Sequence, residues 1–153
     1  MSKRVKASDL PQIIGLELEP SSWLEITQER VNQFADATND QQFIHVDQEK
    51  AAKTPFGGTI AHGFLTLSLI SHLTDEHAVK PEGLVMALNY GSDKVRFLQP
   101  LRVGKRIRAL QKILDVKEKR PGQWLIKTAV TVEIDGDEKP ALIAESIVML
   151  III

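Results

Sequence analysis

Apolar residues crowd the segment from residue 59 to residue 73 and predict a helix that is buried on all sides. They point in nearly every direction around a helical axis: Ile60, Ala61, Phe64, Leu65, Leu67, Leu69, Ile70 and Leu73. A helix of this length spans roughly 20 Å, about the width of a small sheet. We therefore expect other elements of the chain to wrap around it.

The second half of the chain predicts the strands that surround this helix. Five stretches rich in Val, Ile and Leu are typical of strands, at residues 84–90, 93–98, 105–116, 123–134 and 139–152. Within residues 123–134, apolar and polar positions alternate, as in a strand with one buried face. Long antiparallel strands that follow one buried helix predict an α+β fold in which the sheet curls around the helix.

Two local signals refine the predicted strands. In the segment 105–116 the apolar positions change phase between Ala109 and Leu110, which predicts a β-bulge. The sequence Asp135-Gly136-Asp137 predicts a hairpin turn into the last strand.

The first third of the chain predicts a short strand at residues 22–26 and two short helices. Thr27 is a good N-cap for a helix over residues 28–37, and Asp47 for one over residues 48–53. Between them the sequence NDQQFIHVD, residues 39–47, places an acid (Asp40) and an imidazole (His45) five residues apart. The segment that contains Asp40 and His45 is therefore expected to be fixed by a helix at each end.

Composition excludes several classes of protein. A chain of 153 residues with 43% hydrophobic content is expected to form one domain over residues 1–153. A net charge of −1 and few aromatic residues argue against nucleic-acid binding. The absence of cysteine removes disulfides, thiol nucleophiles and thiolate metal sites. The basic start lacks an apolar core and the apolar end is too short to cross a bilayer, so we expect a cytoplasmic protein.

The chain has four histidines, and their spacing predicts no metal site. His72 and His77 are five residues apart, and no His-Glu-x-x-His sequence occurs. Both lie toward the end of the predicted central helix, where an imidazole caps carbonyls or is simply solvated. We therefore expect no metal among the cofactors.

The remaining histidines mark two candidate sites, each with two interpretations. His62 and Gly63 fall in the first turn of the predicted helix, where free backbone N–H groups could hold an oxyanion; a glycine there also permits close packing against a strand. Asp40 and His45 could orient a water and move its proton. They could equally be a turn-forming acid and a surface imidazole, and spacing alone leaves both pairs of interpretations open.

Several motifs together resemble those of the MaoC-like, (R)-specific enoyl-CoA hydratases of the hot-dog fold. The resemblance covers most of the chain and rests on these stretches: DQQFIH at 40–45, Ala51-Ala52, Pro55-Phe56-Gly57, IAHGFL at 60–65, Asn89-Tyr90-Gly91, KVRF at 94–97, Pro100 and Gly104. It implies that Asp40 and His45 hold the reacting water, and that the Gly63 N–H binds the thioester oxygen.

The resemblance also implies a reaction and a set of contact residues. The reaction is reversible addition of water to a trans-2-enoyl-CoA, giving a (3R)-hydroxyacyl-CoA, without a metal or redox cofactor because CoA is part of the substrate. Residues expected to contact the substrate are Gln42, Phe43, His62, Tyr90 and Gly91. A hot-dog acyl-CoA thioesterase and a non-catalytic acyl-thioester binding module remain as alternatives.

Three positions depart from the family's motif. Asn39 replaces the glycine before the acid, Gln42 replaces an asparagine and Phe43 replaces a proline. A glutamine retains the donors and acceptor of the amide on a longer arm. Phe43 is expected to be either a wall of the acyl pocket or a hydrophobic anchor.

Two further expectations concern partners. Both faces of the last predicted strand are apolar, and one helix cannot cover both, so we expect a homodimer; the resemblance implies that two sheets join edge to edge. A basic set could meet CoA phosphates or could be a solvated strand face: Arg102, Lys105, Arg106 and Arg108.

Overall fold

One helix and four long antiparallel strands form the centre of the structure, a computed structural model that describes residues 4–153. The elements, in chain order, are β1 (Arg4–Val5), a 3-10 helix (Ala7–Ile13), β2 (Glu17–Leu18), β3 (Leu24–Glu25), α1 (Gln28–Thr38), α2 (Phe43–Val46), α3 (Gln48–Ala52), α4 (Gly63–Asp75), β4 (Lys80–Pro81), β5 (Leu84–Phe97), β6 (Arg106–Arg120), β7 (Gln123–Ile134) and β8 (Leu142–Ile152).

The main sheet is antiparallel and has the strand order β2-β6-β7-β8-β5, with β3 also paired to β6. A separate parallel pair joins β1 to β4. The core lies between α4 and one face of the main sheet, where Leu65 and Leu69 pack with Ile107, Val132 and Leu142. Each such buried side chain contributes roughly 1.5–3 kcal/mol. The α+β prediction, with an antiparallel sheet and one central helix, is confirmed.

The central helix begins four residues later than predicted, at Gly63. Residues 59–61 are instead extended and pair with residues 101–103: the Ala61 N–H donates to the Leu101 carbonyl at 2.8 Å, and the Val103 N–H to the Thr59 carbonyl at 3.0 Å. These hydrogen bonds satisfy the backbone just before the helix, so the helix starts where they end.

The prediction that this helix is buried on all sides is wrong within a single chain. Leu65, Leu69 and Leu73 are buried, but Phe64 is 68% exposed. The helix lies across one face of the sheet, and its opposite side is open. On that side Phe64 contacts the Phe97 ring in an edge-on arrangement, with centroids 5.8 Å apart, and stays largely exposed.

Two strand predictions also need correction. The segments 84–90 and 93–98 form one strand, β5, whose register against β8 shifts between Asn89 and Gly91 and again between Asp93 and Arg96. The bulge predicted between Ala109 and Leu110 is absent, since these residues pair with consecutive partners on β7. Two irregularities lie further along β6, between residues 113 and 115 and between residues 118 and 120.

The predicted helix caps are confirmed. The Arg30 N–H donates to the Thr27 hydroxyl oxygen at 3.2 Å, and the Lys50 N–H to an Asp47 carboxylate oxygen at 3.0 Å. Helix α1 ends at Asn39, whose φ of 59° is left-handed. Asparagine tolerates this conformation better than most residues, so it can stand where the family's motif has glycine.

The basic set is largely neutralised by carboxylates, which argues against its use for CoA phosphates. Ion pairs join Lys105 to Asp137 at 2.8 Å, Arg108 to Glu133 at 2.7 Å, and Arg106 to Asp135. Only Arg102 of the four forms no ion pair with the described residues.

No helix within residues 4–153 combines the length and the apolar character needed to cross a membrane.

Candidate active site

His45 is buried and has a defined tautomer. It is carried by the one-turn helix α2, its residue exposure is 6%, and its Nδ1 lies 2.7 Å from the Ile60 carbonyl oxygen. A carbonyl oxygen only accepts hydrogen bonds, so Nδ1 carries the proton. The other ring nitrogen, Nε2, therefore presents a lone pair, which is the state a general base requires.

Asp40 lies beside this imidazole. One carboxylate oxygen of Asp40 and one ring nitrogen from each of His45 and His62 lie within 4.8 Å of one another. The Asp40 side chain is 53% exposed and accepts a long hydrogen bond, 3.4 Å, from the Gln42 N–H. The two residues singled out in the sequence thus lie together, with the imidazole buried and the carboxylate at the surface.

His62 packs against the imidazole ring of His45. The two imidazole rings stack with centroids 3.8 Å apart and planes 24° from parallel, and the Phe34 ring lies 4.9 Å from His62. The His62 Nε2 donates to the Asp40 backbone carbonyl at 3.0 Å, whereas its Nδ1 is buried and has no hydrogen-bond partner among the described residues. His62 is the residue before α4 rather than part of its first turn.

The cluster of Asp40, His45 and His62 has the residue types of a metal site but unfavourable ring geometry. One nitrogen of each imidazole is already bonded to a carbonyl. The stacked rings direct their remaining in-plane lone pairs along nearly parallel planes, so the two do not converge on one ion as metal coordination requires. Acid–base chemistry suits this arrangement better.

Gln28 ties the segments of the site together. Its amide Nε2 donates to the His45 carbonyl at 2.7 Å, and its Oε1 accepts from the Thr59 hydroxyl at 2.6 Å. Gln28 occupies the first position of α1, and no local motif in the sequence marks it. It links α1 to both the His45 helix and the extended segment before α4.

Gly63 opens α4 and leaves its backbone N–H free. The N–H groups of Leu65 and Thr66 both donate to the His62 carbonyl, and no acceptor from the described residues lies against the Gly63 N–H. A Cβ at this position would meet two ring atoms of Phe97 at 3.0 Å. The two interpretations of Gly63 therefore describe one arrangement, in which close packing against Phe97 leaves an exposed donor at the helix start.

A cavity of about 260 Å³ brings His45 and the helix start together. It is walled by the following residues: His45, Ile60, Ala61, Gly63, Thr66, Phe97, Leu98, Gln99, Pro100, Leu101 and Ala141. Most of these walls are apolar, and the polar side chains among them are those of His45, Thr66 and Gln99. This is the usual composition of a small-molecule pocket.

The other residues expected to contact substrate are placed differently. The Gln42 carbonyl accepts from the His45 N–H at 3.0 Å, so its backbone supports α2. Phe43 is 42% exposed and does not line this cavity, so it is not a buried anchor. Tyr90 and Gly91 line a separate groove between α4 and β5, where the Tyr90 hydroxyl accepts from Lys119. A single chain does not bring these two residues to His45.

Arg102 supports the turn that precedes the site. Its guanidinium donates to the Phe56 carbonyl at 2.5 Å and lies where a side chain at Gly58 would be, with Nη2 2.5 Å from an added Cβ. The Nε of Arg102 is buried without a hydrogen-bond partner in the described residues. The paired glycines thus make room for a guanidinium that holds residues 56–58.

Burial sets the protonation of His45. The pKa of His45 is lowered from its ordinary value of 6.5, chiefly because burial disfavours the charged ring; the Ile60 carbonyl opposes this shift, His62 adds to it and Asp40 opposes it. His45 is therefore neutral at neutral pH. The base needs no activation by deprotonation under those conditions.

This lowered pKa predicts a pH dependence of stability. Above the unfolded-state pKa of about 6.5 the ring is neutral in both states; below it, the unfolded state takes up a proton before the folded state does. We expect the free energy of unfolding to fall as the pH drops from about 6.5 to the lower folded-state pKa, and then to level off. Urea unfolding at about pH 7.5 and about pH 5.5, in wild type and His45→Gln, measures this. An equal decrease in both proteins would contradict the prediction.

The central helix lies against one face of an antiparallel sheet, and this arrangement is the hot-dog fold. The chain belongs to the MaoC-like family of hydratases and dehydratases, whose MaoC like domain matches residues 9–137.

Comparison with known proteins supports this membership. The chain is 49% identical over 142 residues to 3-hydroxyacyl-thioester dehydratase Z of Mycobacterium tuberculosis, covering 92% of this chain and 93% of the relative. Among solved structures, a monoamine oxidase regulatory protein from Archaeoglobus fulgius superposes with a TM-score of 0.80 at 23% identity, covering 100% and 99% of the two chains. The (R)-hydratase of A. caviae involved in PHA biosynthesis superposes with a TM-score of 0.70 at 23% identity, covering 88% and 94%.

Proposed function

We propose that this protein is an (R)-specific enoyl-CoA hydratase, which reversibly adds water to a trans-2-enoyl-CoA to give a (3R)-hydroxyacyl-CoA. The observation that carries the proposal is a buried His45 that has its proton on Nδ1 and a free Nε2. One of its ring nitrogens lies within 4.8 Å of an Asp40 carboxylate oxygen, and its side chain lines the same cavity as Gly63. The 49% identity to a 3-hydroxyacyl-thioester dehydratase supports the same substrate class.

The proposed reaction adds the hydroxyl group of one water to C3 and a proton to C2. His45 and Asp40 hold the water between them. As the water oxygen bonds to C3, one of its protons passes to the His45–Asp40 pair, and the pair delivers a proton to C2. The π bond between C2 and C3 breaks, and the net change is the addition of one H₂O. The reverse reaction removes the same water from the hydroxyacyl thioester.

The start of α4 supplies the second part of the proposed chemistry. Negative charge grows on the thioester oxygen when the water attacks C3. The free Gly63 N–H, at the positive end of the helix dipole, is placed to donate a hydrogen bond to that oxygen. A donor of this kind is typically worth about 3–4 kcal/mol in the transition state. No metal or redox cofactor takes part in the proposed reaction.

Two alternative functions predict different products from the same site. A thioesterase would release free CoA from a saturated acyl-CoA, and a non-catalytic module would bind acyl-CoA without turnover. The decisive test is purified protein with crotonyl-CoA and longer enoyl-CoAs, following loss of the enoyl absorbance and the chirality of the product. Formation of (3R)-hydroxyacyl-CoA supports the proposal, whereas free CoA alone or no turnover refutes it. A cytoplasmic location is part of the same proposal.

We further propose that two copies join through β5, which is the last strand of the main sheet and has an unpaired outer edge. Exposed apolar side chains follow this strand: Val85, Met86, Leu88, Tyr90 and Phe97. A long apolar edge left open invites pairing with another strand. Light scattering at micromolar concentration is expected to give twice the chain mass of 17.1 kDa.

A matched pair of variants tests this interface. The double variant Met86→Lys, Leu88→Lys places two charges beside the open edge and should shift the protein toward a monomer. Ile14→Lys is the control, because Ile14 is similarly exposed but is remote from β5: the adjacent Gly15 N–H donates to the Ile113 carbonyl on β6, near the opposite edge of the sheet. A monomeric wild type, or an unchanged mass in the double variant, would contradict this interface.

A further inference from the structure

We propose that His62 is a positioning residue, which fixes the backbone of Asp40 beside His45 through the hydrogen bond from its Nε2 to the Asp40 carbonyl. This role rests on the hydratase function proposed above. It differs from direct contact with substrate, which the family resemblance implied for His62.

The Asp40 carboxylate forms only weak interactions that could fix its position. The side chain is half exposed, and its hydrogen bond from the Gln42 N–H is long at 3.4 Å. Its nearest approach to His62 Nε2 is 3.9 Å, beyond hydrogen-bonding distance. The 3.0 Å bond between His62 Nε2 and the Asp40 carbonyl is shorter than either. The place of the acid is therefore set through its main chain.

His62 is well placed to act as a fixed anchor. It is 3% exposed, lies between the rings of His45 and Phe34, and directly precedes α4. Burial and packing against these two rings restrict the imidazole, so Nε2 is held at one point. The same ring touches the base and anchors the acid, and it thereby fixes their spacing.

Space filling does not explain an imidazole at this position. The His62 Nδ1 is buried without a hydrogen-bond partner among the described residues, which costs stability. A phenyl ring would fill the same gap between two aromatic rings without an unpaired nitrogen. The bond to Asp40 is what the imidazole adds.

Two substitutions separate anchoring from packing. His62→Phe keeps a ring between His45 and Phe34 but removes the donor; His62→Gln loses the ring but can place an amide N–H near the position of Nε2. We expect His62→Phe to lower kcat for crotonyl-CoA hydration about tenfold with little change in KM, because small displacements of reacting groups are costly. His62→Gln should recover most of that loss although it is the less stable protein. A packing role predicts the opposite order of activity, and that order would overturn the proposal.

A double-mutant cycle tests whether His62 acts through Asp40. In an Asp40→Asn background, His62→Phe should reduce kcat by less than about twofold, since the anchored carboxylate is already gone. A full tenfold further loss would show that His62 acts elsewhere and would overturn the proposal.

An experiment on the wild-type protein keeps the two proposals distinguishable. Imidazole ¹⁵N NMR is expected to show a proton on Nε2 of His62 and on Nδ1 of His45. A His62 protonated only on Nδ1 would overturn the anchoring role, even if His62→Phe fails to fold. Wild-type protein that does not hydrate any enoyl-CoA would refute the hydratase, while the NMR result would still decide whether His62 holds Asp40.

Discussion

Asp40→Asn and His45→Gln should each lower kcat for enoyl-CoA hydration by about 10²–10⁴-fold, the usual contribution of a general acid–base group. Asp40→Asn removes the carboxylate and nearly keeps its shape. His45→Gln removes the base and keeps an amide that can still donate to the Ile60 carbonyl. Because the pair acts on one water, the double variant should be little worse than the poorer single variant. Steady-state kinetics with crotonyl-CoA measure all three.

Binding serves as the control for these variants. Neither residue is proposed to hold the CoA portion, so the affinity for a saturated acyl-CoA should be retained, and calorimetry measures it. If Asp40 were only a turn former, its substitution would change the melting temperature modestly and leave the rate near that of wild type. Active wild-type enzyme together with variants that keep more than about a third of its kcat would refute the assignment.

Gly63→Ala is expected to lower kcat/KM by about 10–100-fold, because misplacement of a reacting group by about 1 Å can cost 10²-fold. The added Cβ would lie 3.0 Å from two atoms of the Phe97 ring, which is tighter than most Cβ contacts in proteins. Either the ring or the start of α4 must move. The ring forms a wall of the cavity and the helix start carries the N–H donor, so both displacements disturb the same site.

A second substitution distinguishes the effect of packing from any other effect of the alanine. Phe97→Leu provides a smaller side chain opposite position 63, and the double variant Gly63→Ala, Phe97→Leu should be more active than Gly63→Ala alone. Phe97→Leu by itself measures the loss due to the missing ring. The interpretation would be wrong if Gly63→Ala kept more than half of the wild-type kcat/KM, or if Phe97→Leu made the alanine variant worse.

Local signals were sufficient for the parts of the fold that depend on near neighbours. The caps at Thr27 and Asp47 each act on a residue three positions away, and strand β7 matches the predicted segment 123–134. Asp40 and His45 are also close in sequence, so the connection between two capped helices could be recognised as one unit. Their proximity in the structure follows from that short connection.

Long-range hydrogen bonds explain what the sequence pattern missed. The start of α4 depends on pairing between residues 59–61 and 101–103, which apolar spacing does not encode. Gln28 forms hydrogen bonds with His45 and Thr59, which lie 17 and 31 positions further along the chain. No sequence motif predicts contacts over such distances. The proton on His45 Nδ1 is fixed by the backbone carbonyl of Ile60. Every residue type has such a carbonyl, so the sequence could not predict the tautomer of His45.

The fit of the Arg102 guanidinium against Gly58 implies that these two positions are not free to vary separately. A side chain at position 58 would displace the Arg102 guanidinium from its bond to the Phe56 carbonyl, and a short residue at position 102 would leave a gap and lose the same bond. Related proteins that carry a side chain at position 58 should therefore carry a smaller residue at position 102. In a sequence comparison this would emerge as a correlated pair 44 positions apart, linking the turn before the site to the strand segment that supports it.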